Sequence, residues 1–201
     1  IPGNVNNIYI SAFENCTGLR KVVVNEGTTI VNNFAFKGCT GLTDLTLPDG
    51  LTAIGQSAFE NCTALEKVVL PDSVTKIYFE AFKNCTKLKK INFPLNWAEA
   101  PTRHGSYSGP GYQGNIFVGC TNLKKITVPE GVISIPVCAF SGSNRIEEIV
   151  LPETLVTINN YAFYDCSNLE KIWIDEAVTS IAGNAFGNCS ALTIHGIENS
   201  Y

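Results

Sequence analysis

The residues of this sequence with the most evident chemistry are its eight cysteines, because seven of them recur at one fixed spacing. Each of the seven follows a phenylalanine by three residues: Cys16, Cys39, Cys62, Cys85, Cys120, Cys166 and Cys189. Thiols placed so regularly suggest disulfide bonds, a metal site or a nucleophile. Cys138 lies outside the series, two residues before Phe140, and is interpreted as a lone thiol.

Cysteines at one fixed spacing are expected to lie one above another in successive coils of the chain. Such a column argues against disulfides and against a metal site. Neighbours about 4.8 Å apart are close enough for a bridge, but parallel Cβ vectors oppose the torsion of about 90° that a disulfide needs. No CxxC pair occurs, and no histidine lies beside the series, so tetrahedral zinc ligands are missing. We therefore favour buried thiols that hydrogen-bond weakly to the backbone. Ser143 takes the cysteine position in one repeat, and its hydroxyl fits that role but cannot form a disulfide.

Catalysis is not expected from the remaining polar residues. The two histidines, His104 and His195, lie far apart in the sequence, so a catalytic triad would require unrelated elements to meet. No glycine-rich phosphate loop follows a strand, and the carboxylates show no paired spacing. The sequence therefore predicts neither enzyme activity nor a cofactor.

The cysteines belong to an internal repeat, which predicts a solenoid. The phenylalanines that mark it are separated by 23 residues, with one interval of 35: Phe13, Phe36, Phe59, Phe82, Phe117, Phe140, Phe163 and Phe186. A leucine or isoleucine follows each cysteine position by three residues, then an apolar pair, and then in most repeats a proline. We predict one array of about eight repeats over 1–201, with a 12-residue insertion in the fourth repeat and a loop at about 98–115.

The spacing within one repeat indicates which elements hold these residues. In residues 65–71, LEKVVLP, apolar residues alternate with outward-facing ones and a proline ends the run, as in a strand with one buried face. Residues 74–77, VTKI, predict a second short strand, and AFxxC resembles one tight helical turn. A single repeat cannot offset its loss of conformational entropy, whereas stacked repeats share their apolar faces. The predicted fold is a β-rich (α+β), right-handed solenoid with a parallel concave sheet.

Composition limits the class of partner. The formal net charge is −4, which argues against a general binder of nucleic acids or of anionic membranes. No apolar run is long enough to span a membrane, and the first residues lack the features of a signal peptide. Residues 1–13 align with residues 70–82, so we expect the sequence to be a fragment of a longer protein and a monomer.

Outward strand positions supply the first candidate binding surface. One row, named here the lysine row, contains Lys21, Asp44, Lys67, Lys90, Lys125, Glu148 and Lys171. Basic character is unbalanced only at Lys89, Lys90, Lys124 and Lys125, which suits an acidic protein loop or a sulfated or sialylated glycan. Trp173 stands on a neighbouring row of smaller residues and is a candidate for protein contact or sugar stacking. The alternative is a solvated face that prevents sideways association of strands.

The insertion supplies the second candidate surface. Its residues AEAPTRHGSYSGPGYQGN are rich in Gly, Pro and Ser, which predicts an irregular loop. Its candidate contact residues are aromatic and polar: Trp97, Arg103, His104, Tyr107 and Tyr112. The alternative is a tolerated excursion whose aromatic side chains fold back onto the array.

The pattern AFxxCxxLxxIxLPxxVxxI, present as AFENCTALEKVVLPDSVTKI at 58–77, resembles the BspA-like class of leucine-rich repeats. That resemblance covers almost the whole chain and implies a cell-surface or secreted protein of anaerobic bacteria or some protists. It implies adhesion or binding to a protein or glycan of a host or neighbouring cell, and no common catalytic residues. A glycan-binding module and a passive spacer remain open as alternatives. The insertion after Trp97 and the missing cysteine at Ser143 depart from the pattern.

Overall fold

The structure, a computed structural model, describes residues 1–98 and 114–197. Within these residues the chain forms fifteen short strands and no helix, arranged as a solenoid with two strand positions in most coils. The first sheet contains β2 (Lys21–Val23), β4 (Asp44–Thr46), β6 (Lys67–Val68), β8 (Lys90–Ile91), β9 (Lys125–Thr127), β11 (Glu148–Val150), β13 (Lys171–Asp175) and β15 (Thr193–Ile197). The second contains β1 (Asn7–Ile8), β3 (Ile30–Val31), β5 (Ala53–Ile54), β7 (Lys76–Ile77), β10 (Ser134–Ile135), β12 (Thr157–Ile158) and β14 (Ser180–Ile181). The leucine-rich repeat solenoid predicted from the spacing is confirmed.

All strand pairs are parallel, and most pair residues one repeat apart. In the first sheet Lys21 pairs with Asp44, and in the second Ile54 pairs with Ile77. The first sheet is divided into β2–β4, β6–β8 and β9–β11–β13–β15, and within the described residues no ladder joins these groups. The second sheet consists of β1–β3–β5–β7 and β10–β12–β14. Because the sequence repeats every 23 residues, equivalent residues of neighbouring coils pair with each other.

The AFxxC segment forms a third parallel ladder rather than the predicted helical turn. The amides of Ala58, Glu60 and Cys62 donate within their own coil to the carbonyl three residues earlier, at 3.3, 3.1 and 3.2 Å. The intervening amides, those of 57, 59 and 61, donate to the next coil at 3.1, 2.8 and 2.8 Å. Alternate amides point out of the coil to the next one, as in a parallel ladder, so the segment is a series of tight turns and not a helix.

This alternation depends on two left-handed residues in every repeat. The residues two before and two after each repeat phenylalanine have positive φ, such as Ser57 at 51° and Asn61 at 61°. The later position is always a residue type that tolerates this region: Asn15, Gly38, Asn61, Asn84, Gly119, Gly142, Asp165 and Asn188. That second regularity was visible in the sequence, and it is what separates these turns from a helix.

Phenylalanine rings fill the centre of the solenoid as one continuous stack. Neighbouring rings of the repeat are nearly parallel, with centroids 5.1 Å apart for Phe13 and Phe36 and 5.5 Å apart for Phe140 and Phe163. The stack crosses the insertion, since Phe82 and Phe117 lie 5.9 Å apart. The amide of Phe82 also donates to Ile116 at 3.0 Å, so the turn ladder crosses the insertion as well.

Bulky side chains fill the core beside the insertion. Phe93, Trp97 and Ile116 are 3%, 3% and 0% exposed, and they take positions held by smaller Leu, Val and Ala residues in neighbouring coils. Trp97 packs on Phe93 at 4.9 Å and on the edge of Phe140 at 6.1 Å. The prediction that Trp97 belongs to a binding loop is therefore corrected, because its ring is needed to fill the interior where the repeat is interrupted.

Candidate binding surface on the first sheet

The lysine row is exposed because each strand of the first sheet places its central apolar side chain inward. In β2 and β9 the outer residues Lys21 and Lys125 are exposed while Val22 and Ile126 are buried. The same alternation holds Lys67 and the other members of the row outside the core. Parallel register then aligns the row across the coils.

Register decides which charges of the row face each other. Lys21 pairs with Asp44, and Glu148 pairs with both Lys125 and Lys171, so each of these lysines has an acidic cross-strand neighbour. Lys67 and Lys90, by contrast, pair directly with each other on β6 and β8. Like charges placed directly opposite each other are destabilising.

The basic patch predicted from the sequence is more balanced than its residue types suggest. Lys89 forms an ion pair with Glu66 at 2.9 Å, and Lys124 and Lys125 pair with Glu147 and Glu148, each at 2.6 Å. The hydrogen bond from Lys89 holds the pKa of the Glu66 carboxyl below its usual value. Such exposed pairs contribute little to stability, because water screens them.

Lys90 is the member of the predicted patch with no ion pair among the described residues, and Lys67 shares that property. Both line an open groove of about 430 Å³, named here the lysine groove. The groove is lined by Lys67, Val68, Val69, Lys89, Lys90, Ile91, Asn92, Lys125 and Thr127. Lys67 belongs to the lysine row but is not among the site residues predicted from the sequence; the available signal was the occurrence of two successive lysines, Lys67 and Lys90, in the row.

Asn92 marks the place where the main-chain pairing of β6 and β8 ends. Its side-chain oxygen accepts from the amide of Leu70 at 2.7 Å, and its side-chain nitrogen donates to the carbonyl of Leu70 at 2.8 Å. In the matching position of another coil, the amide of Val24 donates to the main-chain carbonyl of Thr46 at 3.0 Å. The Asn92 side chain thus replaces a ladder bond, and β6 and β8 are only two residues long.

Trp173 lies in a different setting from the lysines. Its side chain is 47% exposed, and its ring stacks on that of His195, the cross-strand partner, at 5.3 Å. It lines a second groove of about 310 Å³ with Glu147, Glu148, Glu170 and Lys171. This groove shares no lining residue with the lysine groove, but the two adjoin, because Lys125 of the lysine groove is ion-paired with Glu148 of this one.

The candidate residues of the insertion cannot be placed in the same way. Trp97 is in the core, as described above. Arg103, His104, Tyr107 and Tyr112 lie outside the described residues.

The repeated cysteines act as hydrogen-bond donors inside the solenoid. Each thiol of the series after Cys16 donates to the carbonyl of the phenylalanine one coil earlier, at 3.0–3.3 Å: Cys39, Cys62, Cys85, Cys120, Cys166 and Cys189. Burial raises the pKa of the Cys39 thiol to about 11 and that of Cys138 to about 12. Among the described residues no group of three or more His, Cys, Asp or Glu side chains is arranged to hold a metal ion.

Ser143 does not reproduce the behaviour of the cysteine that it replaces. Its hydroxyl oxygen is buried without a hydrogen-bond partner. A C–O bond is shorter than a C–S bond, so the hydroxyl does not reach the carbonyl that a thiol would reach. The expectation that the serine takes over the thiol's hydrogen bond is therefore wrong.

Comparison with known proteins places the chain. Residues 1–103 and 113–201 match the BspA type leucine rich repeat region, with 6 copies. The chain belongs to this family. No match is found among curated proteins. Leucine-rich repeats generally bind other proteins, and the repeat of this chain is consistent with that role. Repeats of this kind are generally not enzymes.

Solved leucine-rich repeat proteins of bacteria share this BspA type fold. The chain is 25% identical to a T. pallidum leucine-rich repeat protein, with a TM-score of 0.64 over 94% of this chain and 72% of that one. The chain is 26% identical to a Eubacterium ventriosum leucine-rich repeat protein, with a TM-score of 0.64 over 86% of this chain and 43% of that one. A Bacteroides ovatus leucine-rich repeat protein, at 22% identity, shares the fold with a TM-score of 0.53 over 96% of this chain and 59% of that one. The chain thus spans less than two thirds of the length of the last two proteins.

No part of the described chain forms a helix with the length and apolar character needed to cross a membrane.

Proposed function

We propose that this array is a non-catalytic, monomeric binding module of a bacterial cell-surface or secreted protein, and that it binds a protein ligand through the first sheet. The observation that carries the proposal is the lysine groove, an open recess on three strands in which Lys67 and Lys90 form no ion pair with any described residue. Stability of the solenoid comes from the buried core, which includes the phenylalanine stack, and from the turn ladder. Membership of the BspA type family supports a surface location.

The test is a binding array of extracellular-matrix proteins and glycans probed with the 201-residue chain. We expect at least one protein to bind, and binding to fall in a Lys90→Glu/Lys125→Glu variant. Loss only after deletion of residues 101–112 would assign binding to the insertion, which contains Arg103, His104, Tyr107 and Tyr112. If no protein binds while a longer parent chain does, the array is a spacer and the proposal fails.

A glycan-binding role is the second candidate, and the exposed ring of Trp173 favours it. Its groove contains Glu147, Glu148 and Glu170, so a neutral or cationic sugar would suit it better than a sulfated one. In the same array, neutral glycans should lose binding in a Trp173→Ala variant. Unchanged glycan binding in that variant, or none in the parent chain, would exclude this role for Trp173.

A further inference from the structure

We propose that the lysine groove binds an acidic, extended segment of the partner protein, and that Lys67 and Lys90 hold its carboxylates. This rests on the proposed protein-binding function and adds the chemistry of the ligand and the residues that recognise it. Three features of the groove carry the inference: its unbalanced charge, the end of strand pairing at Asn92, and its apolar lining.

The charge of the groove is unbalanced at one pair of strands only. Along the lysine row, Lys21 and Lys171 have acidic neighbours in register, whereas Lys67 and Lys90 are paired with each other. On their other sides in the row, Lys67 is next to Asp44 on β4 and Lys90 is next to Lys125 on β9, so the excess of positive charge is greatest at Lys90. Neither of these two forms an ion pair within the described part of the chain. A sequence that balances charge elsewhere in the row thus accepts a repulsive pair here, and a bound anion would remove that repulsion.

The groove is also shaped by a side chain that has no role in balancing charge. Asn92 uses its oxygen and its nitrogen on the Leu70 peptide group, so its amide is occupied and is not itself a ligand contact. It takes the place of a main-chain ladder bond where the pairing of β6 and β8 ends after two residues. Within the described residues no ladder joins β8 to β9, so Lys125 stands on the far side of the opening. Asn92 is a positioning residue in this account.

The lining favours a peptide over a sulfated glycan. Val69 is 57% exposed beside the lysines, and Val68 and Ile91 form the floor. None of the lining residues is aromatic, and the exposed ring of the first sheet, Trp173, stands among carboxylates that would repel sulfates. An acidic segment that alternates with apolar residues places its carboxylates on one side, about 6.6–6.8 Å apart in an extended chain. Flexible lysine stems on strands about 4.8 Å apart can meet that spacing.

The experiment uses the 201-residue chain and a fluorescein-labelled peptide of alternating Asp and Val, about eight residues long so that it spans the groove. A peptide with Asn in place of every Asp is its matched control. Affinity is measured by fluorescence polarisation at low salt and at about 0.5 M salt, where exposed charges are screened. Heparin, as a sulfated glycan, is added as a competitor and tested separately.

Two pairs of substitutions make the same change in net charge. Lys67→Gln/Lys90→Gln alters the groove, whereas Lys21→Gln/Lys171→Gln alters the same row where each lysine lies opposite an acidic residue in register. We expect the groove variant to bind the Asp peptide at least about 10-fold more weakly and the control variant to bind as the parent does. The groove variant should melt no lower than the parent because a repulsive pair is removed. If Lys67 and Lys90 served only to stabilise the fold, the groove variant would instead melt at a lower temperature than the parent.

Asn92→Thr tests the shape of the groove without changing its charge. Threonine is present at the matching positions Thr46 and Thr127, where three-residue strands form. We expect this variant to keep the melting temperature and to lose affinity for the Asp peptide. Unchanged affinity would remove Asn92 from the account.

Four results would overturn the proposal: no binding of the Asp peptide, equal binding of the Asn peptide, equal loss in both lysine variants, or binding of heparin alone. The last result would assign the groove to sulfated glycans. Each is distinct from failure of the proposed function, because a matrix protein that still binds the Lys67→Gln/Lys90→Gln variant would leave protein binding intact and refute only the groove.

Discussion

Ser143 shows at the residue scale what one thiol contributes to the solenoid. In neighbouring coils the thiols of Cys120 and Cys166 donate to phenylalanine carbonyls at 3.1 and 3.2 Å. The hydroxyl of Ser143 is equally buried but has no partner. A buried polar group without a hydrogen bond lowers stability, so this position is weaker than its equivalents.

We therefore expect Ser143→Cys to raise stability. The larger sulfur should reach the carbonyl of Phe117, one coil earlier, and the gain should be about 1 kcal/mol, or roughly 2–4 °C in melting temperature. Cys166→Ser is the matched control, and this substitution should lower the melting temperature. Thermal unfolding followed by circular dichroism in reducing buffer checks both. A lower melting temperature for Ser143→Cys would show that the hydroxyl is already accommodated.

The cysteine series acts as an element, because the thiols after Cys16 all donate to a phenylalanine carbonyl and five of these six are buried. Burial raises the pKa of the thiols of Cys62, Cys85 and Cys166 far above their ordinary value, and that of Cys39 to about 11. The folded protein therefore keeps these protons where the unfolded chain loses them. Stability from this source is complete below pH 9.0, the ordinary thiol pKa, and falls as the pH rises above it.

Alkaline titration should reveal this linkage. As the pH rises from 9 to 11, the thiols of Cys62, Cys85 and Cys166 should each lower the free energy of unfolding, with a slope that approaches about 1.4 kcal/mol per pH unit, so the melting temperature should fall steeply. A Cys62→Ala variant should show a shallower dependence, since one linked proton is removed. Equal slopes for the two proteins would show that the thiols are not the linked groups.

Thiol accessibility gives an independent check on the same series. Cys16 is exposed at the first coil, whereas Cys39, Cys62 and Cys85 are buried. Under non-reducing conditions we expect a thiol reagent to modify Cys16 rapidly in the folded protein and all eight cysteines after denaturation. A count of two or fewer in the denatured protein would mean that the cysteines are joined as disulfides, contrary to the sequence-based interpretation.

At the scale of the whole molecule, the solenoid continues past an insertion that interrupts its period. No ladder joins β8 to β9 among the described residues, yet the turn ladder and the phenylalanine stack both continue from Phe82 to Phe117. Trp97 and Phe93 fill the interior at this point and contact Phe140. Continuity therefore depends on the turns and the core more than on the first sheet.

Substitution of the two tryptophans should separate core from surface. We expect Trp97→Ala to cost about 3–5 kcal/mol, because a large buried ring is lost where the coils are joined. Trp173→Ala, which removes a ring that is 47% exposed, should cost much less. Urea unfolding monitored by circular dichroism compares them. Similar small losses in both variants would return Trp97 to the insertion as a surface residue.

The sequence alone determined the coil, the register and the cysteine series, because a strict period forces like residues into like environments. It also favoured binding over catalysis as the expected function, because its repeat pattern is that of leucine-rich repeats. Tertiary structure decided which lysines have carboxylate partners, because pairing depends on side chains from neighbouring coils. It likewise placed Trp97 inside and Asn92 between two strands. These outcomes depend on local packing where the repeat departs from its own pattern, and a periodic rule carries no information about its exceptions.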